Sequence, residues 1–173
     1  MSATFIIRTL LPSEWARYRA VRLRSLCESP HAFGSTFEAE RERTDDDWKA
    51  RLSALVSSEE ACLLIAEQAD ETIGLVLAKT EPIDRSAVNV FQMWVAPGSR
   101  GRGVGGQLLG AALAWARARR ARYVQLAVTC GDTSAARLYA RHGFKPVGPV
   151  EALRPGCALT CQPMRLVLDE RTV

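Results

Sequence analysis

Apolar positions along the chain follow two repeats, one typical of strands and one typical of helices. Short apolar runs predict strands at 4–10, 61–68, 72–80, 87–95, 121–129, 145–150 and 163–168. Apolar residues three to four positions apart predict helices at 14–28, 44–56, from Gly103 to about 120, and 133–144. The predicted order is β-α-α-β-β-β-α-β-α-β-β. It describes an α/β domain in which helices flank one mixed central sheet of about six to seven strands.

Residues at the element boundaries support this division. Ser13 is a candidate N-cap for the first helix, and Ser29 with Pro30 ends it. Thr44 or Asp45 is the candidate cap of the second helix. On the helix after Gly103, the apolar residues predict a buried face, consisting of Val104, Leu108, Leu109, Ala112, Leu113 and Trp115.

Length and composition narrow the class of protein. A chain of 173 residues favours one domain, 1–173, and is long enough to bury a substantial core. Apolar residues make up 47% and charged residues 24%, which is typical of a globular chain. No apolar run approaches a membrane span, and the N-terminus lacks the pattern of a signal peptide. We therefore expect a cytoplasmic protein without membrane contact.

Charge and cysteine content say less about function. A net charge of +4 is compatible with an anionic ligand, but the basic residues at 117–122 fit a helix C-terminus equally well. Basic surface interleaved with aromatic residues is missing, so nucleic acid is a disfavoured partner. Five irregularly spaced cysteines and two histidines predict reduced thiols and no metal site.

The most unusual segment is VAPGSRGRGVGG at 95–106, where a predicted strand gives way to a predicted helix. The first amides of a helix lack intrahelical partners and lie at the positive end of its dipole. Glycines there allow a bulky anion to approach the backbone, although each costs roughly 1 kcal/mol relative to alanine in a helix. The segment therefore predicts a phosphate-binding turn.

Two nucleotide-binding folds fit this turn poorly. Gly101, Gly103 and Gly106 satisfy the dinucleotide pattern G-x-G-x-x-G, but a Rossmann domain places it after the first strand, whereas here about 95 residues precede it. No Gly-Lys-Ser/Thr follows, which excludes a P-loop. A nucleotide-dependent oxidoreductase is therefore the weakest of the hypotheses considered.

The sequence resembles the GNAT superfamily of N-acetyltransferases. Segment 100–105, RGRGVG, is similar to the R/Q-x-x-G-x-G/A signature of that family, and Val95-Ala96-Pro97 resembles its V-x-P strand end. Segment 132–144, DTSAARLYARHGF, resembles N-x-x-A-x-x-L-Y-x-x-x-G-F. The resemblance covers about 4–168 and is most specific over 88–148.

This resemblance implies transfer of an acetyl group from acetyl-coenzyme A, acting as co-substrate, to a primary amine by direct attack. Tyr139 matches the general acid that protonates the departing thiolate. Backbone groups of the predicted strand at 87–95 would pair with the pantetheine arm, and the glycine turn would hold the pyrophosphate. The implied cofactor-binding residues are Met93, Trp94, Val95, Arg100, Gly101, Arg102, Gly103, Val104, Gly105, Gly106, Asp132 and Ser134.

Two departures from the family pattern affect the chemistry. Asp132 replaces the motif asparagine; it still caps the next helix and accepts hydrogen bonds, but it cannot donate one. The strand at 87–95 offers only Asn89 and Gln92 where some members carry a glutamate base. Without a glutamate, the amine could lose its proton to water, or it could arrive already neutral, and both routes are equally compatible with the sequence. Cys130 is a weaker candidate as a covalent nucleophile.

The acceptor is left open by the sequence. The family builds its acceptor site from segments equivalent to 31–48 and 150–162, and the first of these is rich in acids that could attract an amine. The same acids alternate with arginines or open a helix, which favours a structural role. Both small-molecule and peptide amines stay open as acceptors. A homodimer is also compatible with the sequence. The alternative function is a coenzyme A-binding regulatory module without turnover.

Overall fold

The computed structural model describes residues 4–168, apart from the side chain of Thr133. Its strands are β1 Ile6–Thr9, β2 Ala61–Gln68, β3 Glu71–Thr80, β4 Ala87–Val95, β5 Tyr123–Thr129, β6 Lys145–Pro146, β7 Glu151–Ala152 and β8 Thr160–Val167. Its helices are α1 Trp15–Glu28, α2 Phe37–Arg41, α3 Asp45–Ser57, α4 Val104–Ala118 and α5 Thr133–Arg141. The predicted domain 1–173 also includes 1–3 and 169–173, which lie outside the described residues.

The strands form one sheet in the order β1-β2-β3-β4-β5-β8-β6, with β7 beside β8. Only β4 and β5 pair in parallel among the described strands; the other neighbours are antiparallel. The parallel step requires a long crossover, which α4 supplies. The predicted fold class, a mixed sheet flanked by helices, is confirmed.

The predicted strand at 145–150 is wrong in extent. Strand β6 covers only Lys145–Pro146, and pairing resumes at Glu151 in β7. Pro146 and Pro149 cannot donate to a ladder, and Gly148 has a left-handed φ of 67°. The two short strands bring the sheet to eight.

Two helix starts differ in how far they follow the predictions. Ser13 is not a cap; it lies in a 3-10 turn, Pro12–Glu14, where Glu14 Oε2 accepts a 2.8 Å hydrogen bond from the Leu11 amide. Thr44 does cap α3, because its side chain accepts from the Asp47 amide at 3.2 Å. The mixed segment before α3 contains the unpredicted helix α2, capped by Thr36.

The core lies on both faces of the sheet. On one face, a Cβ built on Gly74 would lie 2.7 Å from Leu108 Cδ1, so β3 and α4 are in close contact there. On the other, Arg24 of α1 lies over Trp94 at 5.3 Å. Two helices bury residues that differ from the prediction. In α4, Ala116 is buried, whereas Trp115, predicted to be buried, is half-buried. In α1, Arg22 and Ser25 are buried beside the apolar residues.

Candidate active site

Strands β4 and β5 separate at the centre of the sheet. Their parallel pairing covers only Ala87–Tyr123, Val88–Val124 and Asn89–Gln125. Beyond this point the β4 edge that faces β5 has no ladder, so its backbone amides and carbonyls are available to an extended ligand. This gap is the first element of the site.

An irregularity in β4 determines which side chains face the gap. The register with β3 shifts between Leu75 and Leu77, and Gln92 adopts a left-handed φ of 56°. After this bulge, Met93 and Val95 face α4 and α5, whereas Trp94 is buried on the opposite face. Bulges re-aim side chains beside functional sites. Nothing in a glutamine at this position signals such a conformation.

The start of α4 lies at the end of β4. Gly103 is its N-cap, with a φ of 84° and without a side-chain cap, and the first turn contains no acidic residue. Within residues 4–168, the amides of Val104, Gly105 and Gly106 have no protein acceptor, whereas Gln107 donates to the Gly103 carbonyl at 3.0 Å. Unpaired amides at the positive end of a helix bind anions.

Gly105 allows three elements to meet at this corner. A Cβ there would lie 3.3 Å from Leu138 Cδ2 in α5 and 3.6 Å from Val95 Cγ2 in β4. Gly103, in contrast, faces open space, since a Cβ would have no heavy atom within 4 Å. One glycine therefore serves packing, and the other keeps the entrance to the amides clear.

The two arginines of the turn have different surroundings. Arg100 Nε donates to the Val95 carbonyl at 3.0 Å, and its guanidinium also reaches Ser29 Oγ at 3.4 Å, so it ties the turn to β4 and to the end of α1. Arg102 instead donates to Gln68 at 3.4 Å. Its side chain points away from the gap.

Helix α5 supplies the opposite wall. Asp132 is its N-cap and accepts from the Ala135 amide at 3.1 Å, which is the capping role expected of it. Tyr139, seven residues further, is only 6% exposed and packs against Phe144 with ring centroids 6.0 Å apart. Burial, and secondarily the charge of Asp132, hold the pKa of Tyr139 well above its usual value, so its phenol is protonated at neutral pH.

These elements enclose a cleft of about 1120 Å³. Of the predicted site residues, every one except Arg102 lines this cleft: Met93, Trp94, Val95, Arg100, Gly101, Gly103, Val104, Gly105, Gly106, Asp132, Ser134 and Tyr139. Sequence reasoning missed Arg137 and Arg141 of α5, which also line it. Their four-residue spacing places them on one helix face and could have indicated them.

A second cavity of about 700 Å³ adjoins the cleft. Ala32, Met93 and Tyr139 line both spaces. The second cavity also takes residues from both segments predicted to form the acceptor site, among them Phe33, Glu151 and Leu153. Tyr139 therefore lies where an occupant of the cleft would meet an occupant of the second cavity.

Two alternative chemistries find little support at the site. Cys130 lines the cleft, but the ring of His142 is engaged elsewhere, with Nδ1 2.9 Å from the Leu138 carbonyl oxygen. Within residues 4–168, no group of three or more His, Cys, Asp or Glu side chains is placed to hold a metal ion.

None of the helices in that range is long and apolar enough to cross a membrane.

A sheet opened between two parallel strands, with unpaired helix amides at the opening, is the arrangement that the resemblance to coenzyme A-dependent acyltransferases implies. The sequence model of the acetyltransferase (GNAT) family matches residues 20–144. The chain belongs to this family and is a GNAT N-acetyltransferase, with acetyl-coenzyme A as co-substrate.

Solved structures agree in fold. A GNAT acetyltransferase from Streptococcus pneumoniae is 24% identical, with a TM-score of 0.82 over 96% of this chain and 100% of that one. A Salmonella typhimurium protein determined with its cofactor acetyl-CoA is 18% identical, with a TM-score of 0.79 over 98% and 96%. A ribosomal-protein-alanine N-acetyltransferase from Brucella melitensis is 18% identical, with a TM-score of 0.77 over 94% and 99%. No curated protein sequence matches significantly.

Proposed function

We propose that this chain acetylates a primary amine by direct transfer while acetyl-coenzyme A and the amine are bound together. The observation that carries the proposal is the junction of the two cavities at Tyr139. The cofactor would occupy the cleft and the amine the second cavity, so the amine would approach the thioester at their shared wall. The domain as a whole, 1–173, would carry this one activity.

The cofactor is held mainly by backbone groups in this proposal. The pyrophosphate lies on the amides of 101–106, with Arg137 and Arg141 adding positive charge nearby. The pantetheine arm extends along the free edge of β4 and pairs with the backbone at 93–95. An amide there also polarises the thioester carbonyl.

The chemical step breaks one bond and forms another. The neutral amine nitrogen attacks the thioester carbonyl carbon, the C–S bond breaks, and the acetyl group becomes an amide. The thiolate of coenzyme A takes the proton of the Tyr139 hydroxyl, and the amine proton passes through water back to the phenolate. The Tyr139 phenol is protonated at neutral pH before each turnover, and its burial beside both cavities places the hydroxyl at their junction.

A carboxylate base on β4 is not part of this proposal. Asn89 donates to Glu81 Oε2 at 2.6 Å, and the Gln92 side chain accepts from the Tyr18 hydroxyl at 3.2 Å. Both side chains are neutral and already engaged. Asp84 is bound by Ser86 and Tyr123 near the start of β5, away from the gap. Proton removal by water is therefore the simpler route.

Initial-velocity kinetics test direct transfer. Coenzyme A release would be measured while acetyl-coenzyme A and an accepted amine are varied together. A ternary complex gives intersecting double-reciprocal lines and no burst of coenzyme A without amine. Parallel lines with a stoichiometric burst would instead show an acetyl-enzyme, and replacing Cys130 by Ser would then show whether its thiol carries the acetyl group.

A further inference from the structure

Arg22 of α1 is a buried cation that lines the second cavity. The residue is 2% exposed, and its Nε and Nη1 atoms are buried without a hydrogen-bond partner in the described part of the chain. Its guanidinium lies over the Phe33 ring at 4.8 Å, which orients the plane but supplies no acceptor. Burying a charge without a hydrogen-bonded counterion is costly, so this arrangement calls for an explanation.

The acid whose charge acts on Arg22 is already bound by two other arginines. Glu40, 3% exposed, accepts from Arg43 Nε at 2.8 Å and from Arg51 Nη1 at 2.8 Å. No ion pair within 4.0 Å joins Arg22 to an acid among residues 4–168. The charge of Arg22 is therefore left without a direct counterion inside the protein.

The charges of the whole cavity point the same way. Its ionised lining residues are the cations Arg22, Arg51 and Lys79 and the acid Glu151; because Arg51 is already paired with Glu40, the excess positive charge comes from Arg22 and Lys79. Acids of the segment predicted to attract an amine are engaged within the protein: Asp47 Oδ2 accepts from the Thr44 amide, Asp46 pairs with Lys49, and Glu40 is bound by its two arginines. A polycationic acceptor would meet like charge in this space.

We infer that the second cavity binds a primary amine that also carries a carboxylate, an amino acid-like acceptor, and that Arg22 holds this carboxylate. A guanidinium presents a planar fork of N–H donors that matches a carboxylate with two parallel hydrogen bonds. Binding would supply the missing acceptors and the missing counterion together. The inference rests on the proposed function, in which this cavity receives the amine.

A matched acceptor panel tests the inference. Coenzyme A release would be measured with the twenty common L-amino acids, the corresponding amino acid amides, and spermidine. At least one amino acid should exceed its amide by roughly 30- to 100-fold in kcat/KM per neutral amine, since the amide has a similar shape but lacks the carboxylate that Arg22 would bind. Equal use of acid and amide, or a preference for spermidine, would overturn the inference.

Two variants on the same helix separate binding from folding. Arg22→Gln should lower kcat/KM for the preferred amino acid by roughly 30- to 100-fold, mainly through KM, and leave the amide unchanged. Arg24→Gln is the control, because Arg24 lies on α1 but lines neither cavity. Equal losses on acid and amide in Arg22→Gln would contradict carboxylate recognition.

Calorimetry distinguishes failure of the inference from failure of the proposed function. The same amino acids would be titrated into the protein saturated with coenzyme A. Binding that Arg22→Gln abolishes, without turnover, would support the inference and contradict the proposed acetyl transfer to this occupant. Turnover of amides or spermidine without any binding of carboxylates would support the transfer and overturn the inference.

Discussion

At the scale of single residues, the proposed site includes two buried ionisable groups, the Tyr139 phenol and the Arg22 guanidinium, whose pKa values burial shifts in opposite directions. Burial favours the neutral form of Tyr139, which is the form that donates a proton. The same effect lowers the pKa of Arg22, because desolvation penalises its charge. The second effect is a cost that a bound anion would remove.

Replacing Tyr139 by Phe tests the proton donor. The change removes one hydroxyl, so we expect kcat to fall roughly 100-fold or more while the acetyl-coenzyme A affinity stays within about twofold. Turnover and calorimetry measure the two quantities. Tyr123→Phe is the matched control, since its hydroxyl binds Asp84 and it lines neither cavity. An unchanged kcat in Tyr139→Phe would remove this residue from the mechanism.

Replacing Arg22 by Met tests the cost of its buried charge. Methionine keeps a similar volume against Phe33, while the uncompensated cation is removed. We therefore expect the free energy of unfolding of the unliganded protein to rise by about 1 kcal/mol. Urea denaturation measures it. A loss of similar size would indicate that the protein itself already satisfies the guanidinium.

At the scale of elements, the site depends on how closely α4 approaches the sheet. Gly74 on β3 and Gly105 on α4 lack side chains at two points where these elements are in close contact with their neighbours. This contact fixes the N-terminus of α4 against the end of β4. The unpaired amides at the start of α4, which would bind the cofactor, are therefore positioned by packing that lies mostly outside the cleft.

Two glycine-to-alanine changes should have opposite effects on stability. At Gly74 the new Cβ would lie 2.7 Å from Leu108 Cδ1 and 3.2 Å from the Trp94 carbonyl oxygen, so we expect a loss of about 1–3 kcal/mol. At Gly110, inside α4, nothing lies within 4 Å, so helix propensity should add about 0.5–1 kcal/mol. Chemical denaturation of both variants checks the signs. Stabilisation at Gly74 would contradict the close contact.

An ion-pair group fastens the edge of the sheet to the first helix. Arg8 of β1 donates to both carboxylate oxygens of Glu14 at 2.8 Å and to Glu67 of β2 at 2.7 Å. The hydrogen bonds from Arg8, assisted by the Leu11 amide, lower the pKa of Glu14 from 4.5 to about 2. Because the folded state holds this acid deprotonated, its contribution is complete above about pH 4.5 and disappears as the pH falls towards 2.

Replacing Glu14 by Gln should therefore cost stability at neutral pH and little in strong acid. We expect a loss of roughly 1 kcal/mol at pH 7, since the pair is partly exposed, and a difference near zero close to pH 2. Denaturation at several pH values measures it. Glu59→Gln, an exposed position between α3 and β2, is the control. A difference that persists unchanged at low pH would exclude the ionised pair as its cause.

At the scale of the whole molecule, the sequence predicted the fold and the residues that line the cleft better than those that line the second cavity. Short apolar runs locate β2, β3 and β4, and the motif at 100–105 locates the start of α4. The bulge at Gln92 could not be predicted, because its left-handed backbone depends on the register with β3. Helix α2 was missed because five residues are too short for a helical period.

The burial of Arg22 could not be predicted from the sequence either. Its helix position falls on the apolar face of α1, where an arginine is usually expected to extend towards water. Only the positions of Phe33, Glu40 and the cavity show that this charge stays inside. The second cavity is lined by segments far apart in sequence, so no local motif encodes it.

Calorimetry with acetyl-coenzyme A on a matched pair of glycine variants tests the central claim, that the start of α4 binds the cofactor. Gly103 and Gly156 both have a left-handed φ, 84° and 72°, and both face open space, but only Gly103 lines the cleft. Gly103→Leu should weaken binding at least tenfold, whereas Gly156→Leu, with similar backbone strain, should bind like the parent protein. Equal affinity in the two variants would contradict the claim.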